Sequence, residues 1–398
     1  MQKTYRYRLY PNKEQEQTLL WTMRQCKFVY NIMLEKLEKL QERDKPDRYI
    51  LQNSLPKLKE QFPQLKNVYS KALQHEVYRL FSNLRALSES KKKGRHVGKL
   101  RFKSSAGFKT IHYNQSGFKI VETNTRCNKL HISKIGDIPM RMHRDFEGTV
   151  KQVVIKKYGS GRWFASITVE EDLVVQKQPI KKIVGLDMGI TKFLTDTTGK
   201  RIENPKYLSK SLKRLKHRQK RLSRTKKKSN NRRKQIIRVA KLHEQVANQR
   251  RDFCHKVARY YVDNFDFVGV EDLNIGGMIK TINAEKLRKS IKRHMRRNTY
   301  DVSWRMFFDI LFCKAEWAGR TGIKVDPRYT SQIQKYGLPE GHNHYNASIN
   351  ILERALEQIG QGLSEFTPLK IVPPPKLKTV LASTVVELGS HFYKYHSV

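Results

Sequence analysis

Acidic side chains are scarce in this sequence: 36 Asp and Glu stand against 81 Lys and Arg in 398 residues, a formal net charge of +45 with a pI of about 10.2. A chain so charged repels itself. The partner that offsets such a surplus is a polyanion, nucleic acid first and an anionic membrane a distant second. Long apolar runs are missing too. No stretch approaches the roughly eighteen residues of a membrane span, and Met1-Gln2-Lys3-Thr4-Tyr5-Arg6 has no apolar signal-like core, so a cytoplasmic protein without a membrane partner is expected. Cysteine is rare: Cys26, Cys127, Cys254 and Cys313 are scattered, with no Cys-x-x-Cys pair. That spacing argues against a disulfide framework and against zinc, and leaves buried reduced thiols as the expectation. The length allows about two or three domains.

What is present centres on Ile183-Val184-Gly185-Leu186-Asp187-Met188-Gly189-Ile190, a short apolar run that carries one carboxylate between glycines. It reads as a buried strand ending in an acid, followed at Phe193-Leu194-Thr195-Asp196-Thr197-Thr198-Gly199 by a second strand and a turn. Alone, Asp187 is as readily a turn or cap residue. A second run, Phe265-Asp266-Phe267-Val268-Gly269-Val270-Glu271-Asp272-Leu273, has the same form after a long helical segment, as a parallel crossover requires. If the two strands are neighbours, Asp187 and Glu271 meet at the carboxyl edge of a sheet, where open α/β sheets bind ligands. Two carboxylates there suit hard divalent cations and phosphodiesters.

At the start, Tyr5, Tyr7 and Leu9 alternate with Arg6 and Arg8, a strand with one basic face able to meet phosphates. After Pro11, Asn12 and Gln15 form a capping-box pattern, and helical periodicity continues to about Ser90. Lys91-Lys92-Lys93-Gly94-Arg95 reads as a basic loop. Short strands follow at Leu100–Phe102, Thr110–Tyr113, Phe118–Val121, Lys129–Ile132, Met140–His143, Val150–Tyr158 and Trp163–Glu170. Arg101-Phe102-Lys103 interleaves base with an aromatic, which fits nucleic-acid contact and equally an ordinary strand with solvated lysines. Further on, Lys213, Arg214, Arg218, Arg221, Arg232, Arg233 and Arg250 belong to a strongly basic helical hairpin, with Ile236, Val239, Val246, Phe253, Val257 and Tyr260 as its apolar stripe. So little acid balances it that a phosphate backbone is the better partner than bulk solvent. The tail beyond Pro373-Pro374-Pro375 is peripheral.

At this point the chain resembles the TnpB family, transposon-encoded RNA-guided nucleases related to type V CRISPR effectors. The resemblance rests on Tyr7-Arg8-Leu9-Tyr10-Pro11-Asn12, Cys26-Lys27-Phe28-Val29-Tyr30-Asn31, Gly185-Leu186-Asp187-Met188-Gly189 and Val270-Glu271-Asp272-Leu273-Asn274. Val239-Ala240-Lys241-Leu242-His243, Ala247-Asn248-Gln249-Arg250-Arg251-Asp252-Phe253 and Lys314-Ala315-Glu316-Trp317 add to it. It implies α/β and α+β domains, with a RuvC-like RNase H fold preceded by a small β-barrel lobe that carries a helical insertion. Residues 1–11 are then the first barrel strand, 12–90 the helical insertion, 91–172 the rest of the barrel and 173–182 a linker. Residues 183–362 form the RuvC-like domain, with the basic hairpin at 207–262 and a degenerate zinc-ribbon region at 328–344, and 363–398 form the tail.

Nuclease members of that family follow a Thr-Ser-Gln block with two Cys-x-x-Cys knuckles and a D-x-D-x-N-A-A run, whose second Asp is the third metal ligand. Here the run is His342-Asn343-His344-Tyr345-Asn346-Ala347-Ser348, with His344 in that place and no knuckles. Imidazole is a poor Mg²⁺ ligand. The resemblance therefore points to the nuclease-inactivated TnpB-like repressors (TldR): guide RNA and a double-stranded DNA target with a short flanking motif as partners, a bacterial nucleoid setting, and a remnant site of Asp187, Glu271 and His344 that needs neither magnesium nor zinc. Glu340 is a nearby acid able to stand in for the missing ligand. The alternatives are a nuclease that still cuts, and an unguided basic RNA-binding protein.

Overall fold

The computed structural model describes residues 1–39, 47–123, 127–172, 175–332, 343–362 and 379–380. The chain divides into two compact units, Met1–Val174 and Val175–Val398.

In the first unit, β1 (Gln2–Leu9) leads into α1 (Lys13–Glu38), α2 (Arg48–Asn53), α3 (Leu55–Gln61) and α4 (Ser70–Lys92). Then come β2 (Thr110–Asn114), β3 (Phe118–Val121), β4 (Asn128–Ile132), β5 (Gly136–Arg141), β6 (Thr149–Lys157) and β7 (Trp163–Glu170). The seven strands form one antiparallel sheet in the order β2-β6-β7-β1-β5-β4-β3. Its outermost strands, β2 and β3, are joined through residues 115–117 alone, so the sheet must curl into a nearly closed barrel. Alternation decides what faces inward: Tyr7, Leu9, Ile111, Tyr113, Ile155, Ala165 and Ile167 are buried, whereas Arg6 and Arg8 point out. Asn12 and Gln15 make the expected capping box at the start of α1.

Three local expectations fail here. Leu100–Phe102 is no strand. Just after it, the Asn31 side chain accepts from the Lys103 backbone N–H at 2.8 Å and donates to its carbonyl at 3.1 Å, so the chain here is tied to α1 by a side chain and not to a neighbouring strand. Lys91 and Lys92 lie in the last turn of α4 instead of a loop, where positive charge complements the helix dipole. Finally, β5 begins at Gly136, ahead of the expected Met140. Pro139 weakens the strand signal, yet its carbonyl still accepts from Tyr10 N–H at 2.9 Å.

The second unit runs β8 (Ile183–Met188), β9 (Lys192–Asp196), β10 (Arg201–Glu203), α5 (Tyr207–Ser223), α6 (Asn230–Asn264) and β11 (Phe267–Glu271). It continues with α7 (Ile275–Ala284), α8 (Lys289–Val302), α9 (Trp304–Trp317), β12 (Thr321–Val325) and α10 (Asn343–Glu357), and a short β13 (Thr379–Val380). The sheet order is β12-β11-β8-β9-β10-β13. An antiparallel meander, β8 to β10, flanked by β11 and β12 parallel to β8, is the RNase H topology. Every residue of β8 and of β11 is buried, as apolar strands covered on both faces must be. One face packs Val184, Leu186 and Val270 against Phe253 and Val257 of α6 and Phe307 and Leu311 of α9. The other packs Ile183 and Phe267 against Ile351, Leu352 and Ala355 of α10.

The apolar stripe expected along α6 holds only in its later turns. Val246, Phe253 and Val257 are buried, but Ile236 is exposed, Val239 and Tyr260 are half-buried, and Gln235 and Leu242 occupy the buried line instead. Residues 236–238 are all exposed, so only a narrow strip of these early turns is covered. Cys26 and Cys254 are buried, whereas Cys127 and Cys313 are half-buried, against expectation. No described helix is long and apolar enough to cross a membrane.

Candidate functional site

The parallel pairing of β8 with β11 sets Leu186 opposite Val270, so the next residues, Asp187 and Glu271, emerge side by side at the carboxyl edge. Both are 6% exposed. On the same strand face, two residues earlier, Gly185 and Gly269 also lie opposite each other. They are needed there. A Cβ on Gly185 would run into the Ser348 carbonyl oxygen and stand 2.8 Å from Leu352 Cβ; one on Gly269 would stand 2.9 Å from Ala355 Cβ. The glycine pair lets α10 settle onto the sheet, and that seat carries His344, in the first turn of α10, over Asp187.

The outcome is a direct contact: His344 Nδ1 lies 2.7 Å from Asp187 Oδ2. The bond to Asp187 pushes the imidazole above its ordinary value. Burial pushes the Asp187 carboxyl up as well, against the pull of His344, so the pair is built to hold a proton between them. Burial likewise raises Glu271 to about 7, opposed by the Thr330 hydroxyl that donates to its Oε1 and reinforced by the charge of Asp187. Thr330 is held in turn by Asn350 of α10, whose Nδ2 donates to the Thr330 carbonyl at 2.8 Å. Arg354 of α10 donates to the carbonyls of Asp326 and Arg328 at 3.1 and 2.6 Å, fastening the helix to the segment after β12.

Against the hard divalent cation implied by the family resemblance, this donor set fits poorly. It offers two carboxylates and an imidazole whose Nδ1 is already spent on Asp187, where Mg²⁺ takes an octahedron of oxygens. Among the described residues no three His, Cys, Asp or Glu side chains are arranged to hold an ion. Glu340, His342 and residues 333–342 of the zinc-ribbon region lie outside the described residues.

Thr330, Asn350 and the glycine pair went unrecognised in the sequence. Strand-interior glycines are a signal of close backbone approach, but they read there only as punctuation around an acid.

The basic candidates fall into three groups. Lys91, Lys92, Arg101, Lys103, Lys213, Arg214, Arg221 and Arg233 are exposed. Arg6, Arg8 and Arg218 are half-buried, the first two with their guanidinium carbons 5.0 and 5.2 Å from the Phe164 ring. Two others have structural work. Arg232 closes the α5–α6 turn by donating to the carbonyls of Leu222 and Thr225 at 3.0 and 3.3 Å. Arg250, expected on nucleic acid, donates through Nε and Nη2 to the buried carboxylate of Asp301, which also accepts the Leu208 and Ser209 N–H groups at the start of α5, both at 3.2 Å. A buried acid that must be neutralised outweighs an outside ligand for that guanidinium.

A sequence-family model described as "Probable transposase", OrfB_IS605, matches residues 166–281, and one described as "Helix-turn-helix domain", HTH_OrfB_IS605, matches residues 1–45. These matches support the TnpB/IS605 family. The first spans Asp187 and Glu271 and ends before His344; in the second, the described residues form β1 and the single helix α1. Among curated relatives, InsQ of Escherichia coli (strain K12), named as a candidate RNA-guided DNA endonuclease, is 28% identical over 240 residues, 59% of this chain and 58% of its own length. The chain thus spans little more than half of that relative. A candidate RNA-guided DNA endonuclease of Streptomyces pristinaespiralis is 28% identical over 341 residues, 83% of this chain and 79% of that protein. Among solved structures, the protein of a Cas12f1-sgRNA-target DNA complex aligns over 88% of this chain and 98% of its own, with 13% identity and a TM-score of 0.46.

Proposed function

We propose that this chain is an RNA-guided, sequence-specific DNA-binding protein whose RuvC-type nuclease site is inactivated, and that it acts as a transcriptional repressor. The observation that carries the reading is His344 bonded to Asp187 at 2.7 Å, in the place where the nuclease sequences it resembles have their third acid. An imidazole there removes one negative charge and occupies an oxygen that a cation would need. The relatives named as RNA-guided DNA endonucleases support guide RNA and target DNA as partners. The charge of +45 supports a large phosphate-bearing ligand. Pairing with the guide would read the target, and the protein would read a short flanking motif and hold the heteroduplex by its backbone.

A second reading, an endonuclease that still cuts, is favoured by Asp187 and Glu271 remaining side by side. One experiment separates them. Protein, its own guide RNA and a matched duplex are incubated with Mg²⁺ or Mn²⁺, and binding and strand breaks are scored together. Guide-dependent binding with intact DNA is the expected result. Guide-dependent breaks that vanish in Asp187→Ala would establish the nuclease, and binding indifferent to the guide would leave an unguided nucleic-acid-binding protein.

A further inference from the structure

Across the first unit runs a ladder of flat groups. His112 of β2 stacks on His75 of α4, with ring centroids 4.0 Å apart and planes 13° from parallel. His75 faces Tyr78 at 6.1 Å, the Arg48 guanidinium carbon lies 5.2 Å from the centre of the Tyr78 ring, and it lies 4.7 Å from that of Tyr49 on α2. Burial lowers His75 to about 4 and His112 to about 3, so both imidazoles are neutral near pH 7. The Asn114 and Gln152 amides hold them from the side, at 3.1 and 2.9 Å. The rigid end of the ladder is thus uncharged and its open end is cationic.

At the open end lies a groove of about 340 Å³ lined by Arg48, Tyr49, Tyr78, Phe81, Ser82 and Arg85. None of these is acidic. Tyr49 is 62% and Tyr78 54% exposed, an unusual outlay of aromatic surface on a helical face. Arg48 Nε is buried with no hydrogen-bond partner among the described residues. Arg85, also on the lining, is exposed.

From this arrangement we propose that the groove is a binding site for one unpaired nucleotide of a nucleic-acid strand, its base stacked on the surface of Tyr78 and Tyr49 that the Arg48 guanidinium leaves exposed and its phosphate held by Arg48 and Arg85. Aromatic faces accept any base, and a guanidinium stacked on a ring keeps its edge free for phosphate oxygens. The volume suits a single nucleotide and not a duplex. The required chemistry, a base face beside a phosphate, is common to RNA and DNA. The groove belongs to the first unit and the Asp187 edge to the second, and the groove needs no guide pairing, so its failure would leave the guided reading untouched.

The test uses the full chain and short single strands of one sequence, RNA in one arm and DNA in the other, each with 2-aminopurine at one position. Quenching of that fluorophore on binding in at least one arm is expected, and the arm identifies the strand type. Tyr78→Ala and Tyr49→Ala should each weaken binding about tenfold or more and abolish the quench, whereas Tyr78→Phe should keep both. Arg85→Gln should weaken binding while retaining the quench, with the salt slope reduced by about one. The proposal is overturned if neither strand is quenched, or if both alanine variants bind and quench like the parent. Should Tyr78→Ala lower the melting temperature, Tyr49→Ala on the exposed face of α2 decides the matter alone.

Discussion

His344 and Asp187, 157 residues apart in sequence, are hydrogen-bonded at 2.7 Å between the first turn of α10 and the end of β8. If that contact has displaced catalysis, Asp187 is no longer needed for binding. Asp187→Ala should leave guide-dependent DNA binding and repression within about twofold of the parent, since affinity rests on backbone contacts elsewhere. His344→Asp returns an oxygen ligand and should recover cutting only in part, because the knuckles that accompany the family's metal site are missing from the sequence. Parallel binding and cleavage assays on the two variants check this.

The glycine pair under α10 gives a prediction about stability. Gly185→Ala drives a methyl into the Ser348 carbonyl, a backbone atom that cannot rotate away, and should cost about 3 kcal/mol or more. Gly269→Ala meets the methyl of Ala355 and should cost about 1–2 kcal/mol. Urea unfolding of the two variants gives the order, and a smaller loss at Gly185 would contradict the seating of α10 described here.

Basic residues should separate by role. Removing Arg214 and Arg221, which are exposed, should weaken binding to all targets alike and leave stability unchanged. Arg250→Ala strands the Asp301 carboxylate, 3% exposed, and should destabilise the fold by about 3 kcal/mol whether or not nucleic acid is present. For the parent, binding should fall on the order of a thousandfold between about 50 and about 200 mM salt if some six phosphates are neutralised. Titrations at stepped salt and thermal melts of the same variants measure both effects.

The pH dependence of the first unit follows from Glu76, His75 and His112. Glu76 of α4 is fully buried, and burial raises it to about 8 despite the Arg79 guanidinium at 3.0 Å. Between its unfolded value near 4.5 and about 8 the folded chain holds the proton that the unfolded chain has released, so stability falls as pH rises through that window. The two histidines act in the opposite sense. Below about 6.5 the unfolded imidazoles bind protons that the folded ones refuse, so their contribution is lost as pH falls toward about 4 and 3. The effects oppose each other below about 6.5; above it the Glu76 slope remains, joined up to about 7 by that of Glu271 in the second unit. Glu76→Gln should flatten denaturant-measured stability between about pH 6.5 and 8; an unchanged slope would remove Glu76 as its source.

Much of this protein was already determined by its sequence: the surplus of base, the apolar strands tipped by Asp187 and Glu271, the capping box at Asn12, and the helical crossover that makes β8 and β11 parallel. These are local or periodic features, and periodicity reports which face of an element is buried. It does not report what covers that face. That His344 rests on Asp187, that Arg250 serves Asp301 and that Thr330 steadies Glu271 were decided only when α10, α6 and α8 docked. Gly185 and Gly269 look alike in any strand until a helix needs the space. The bonded partners lie 51 to 157 residues apart, and only packing brings such side chains within the few ångströms where hydrogen bonds and charge act.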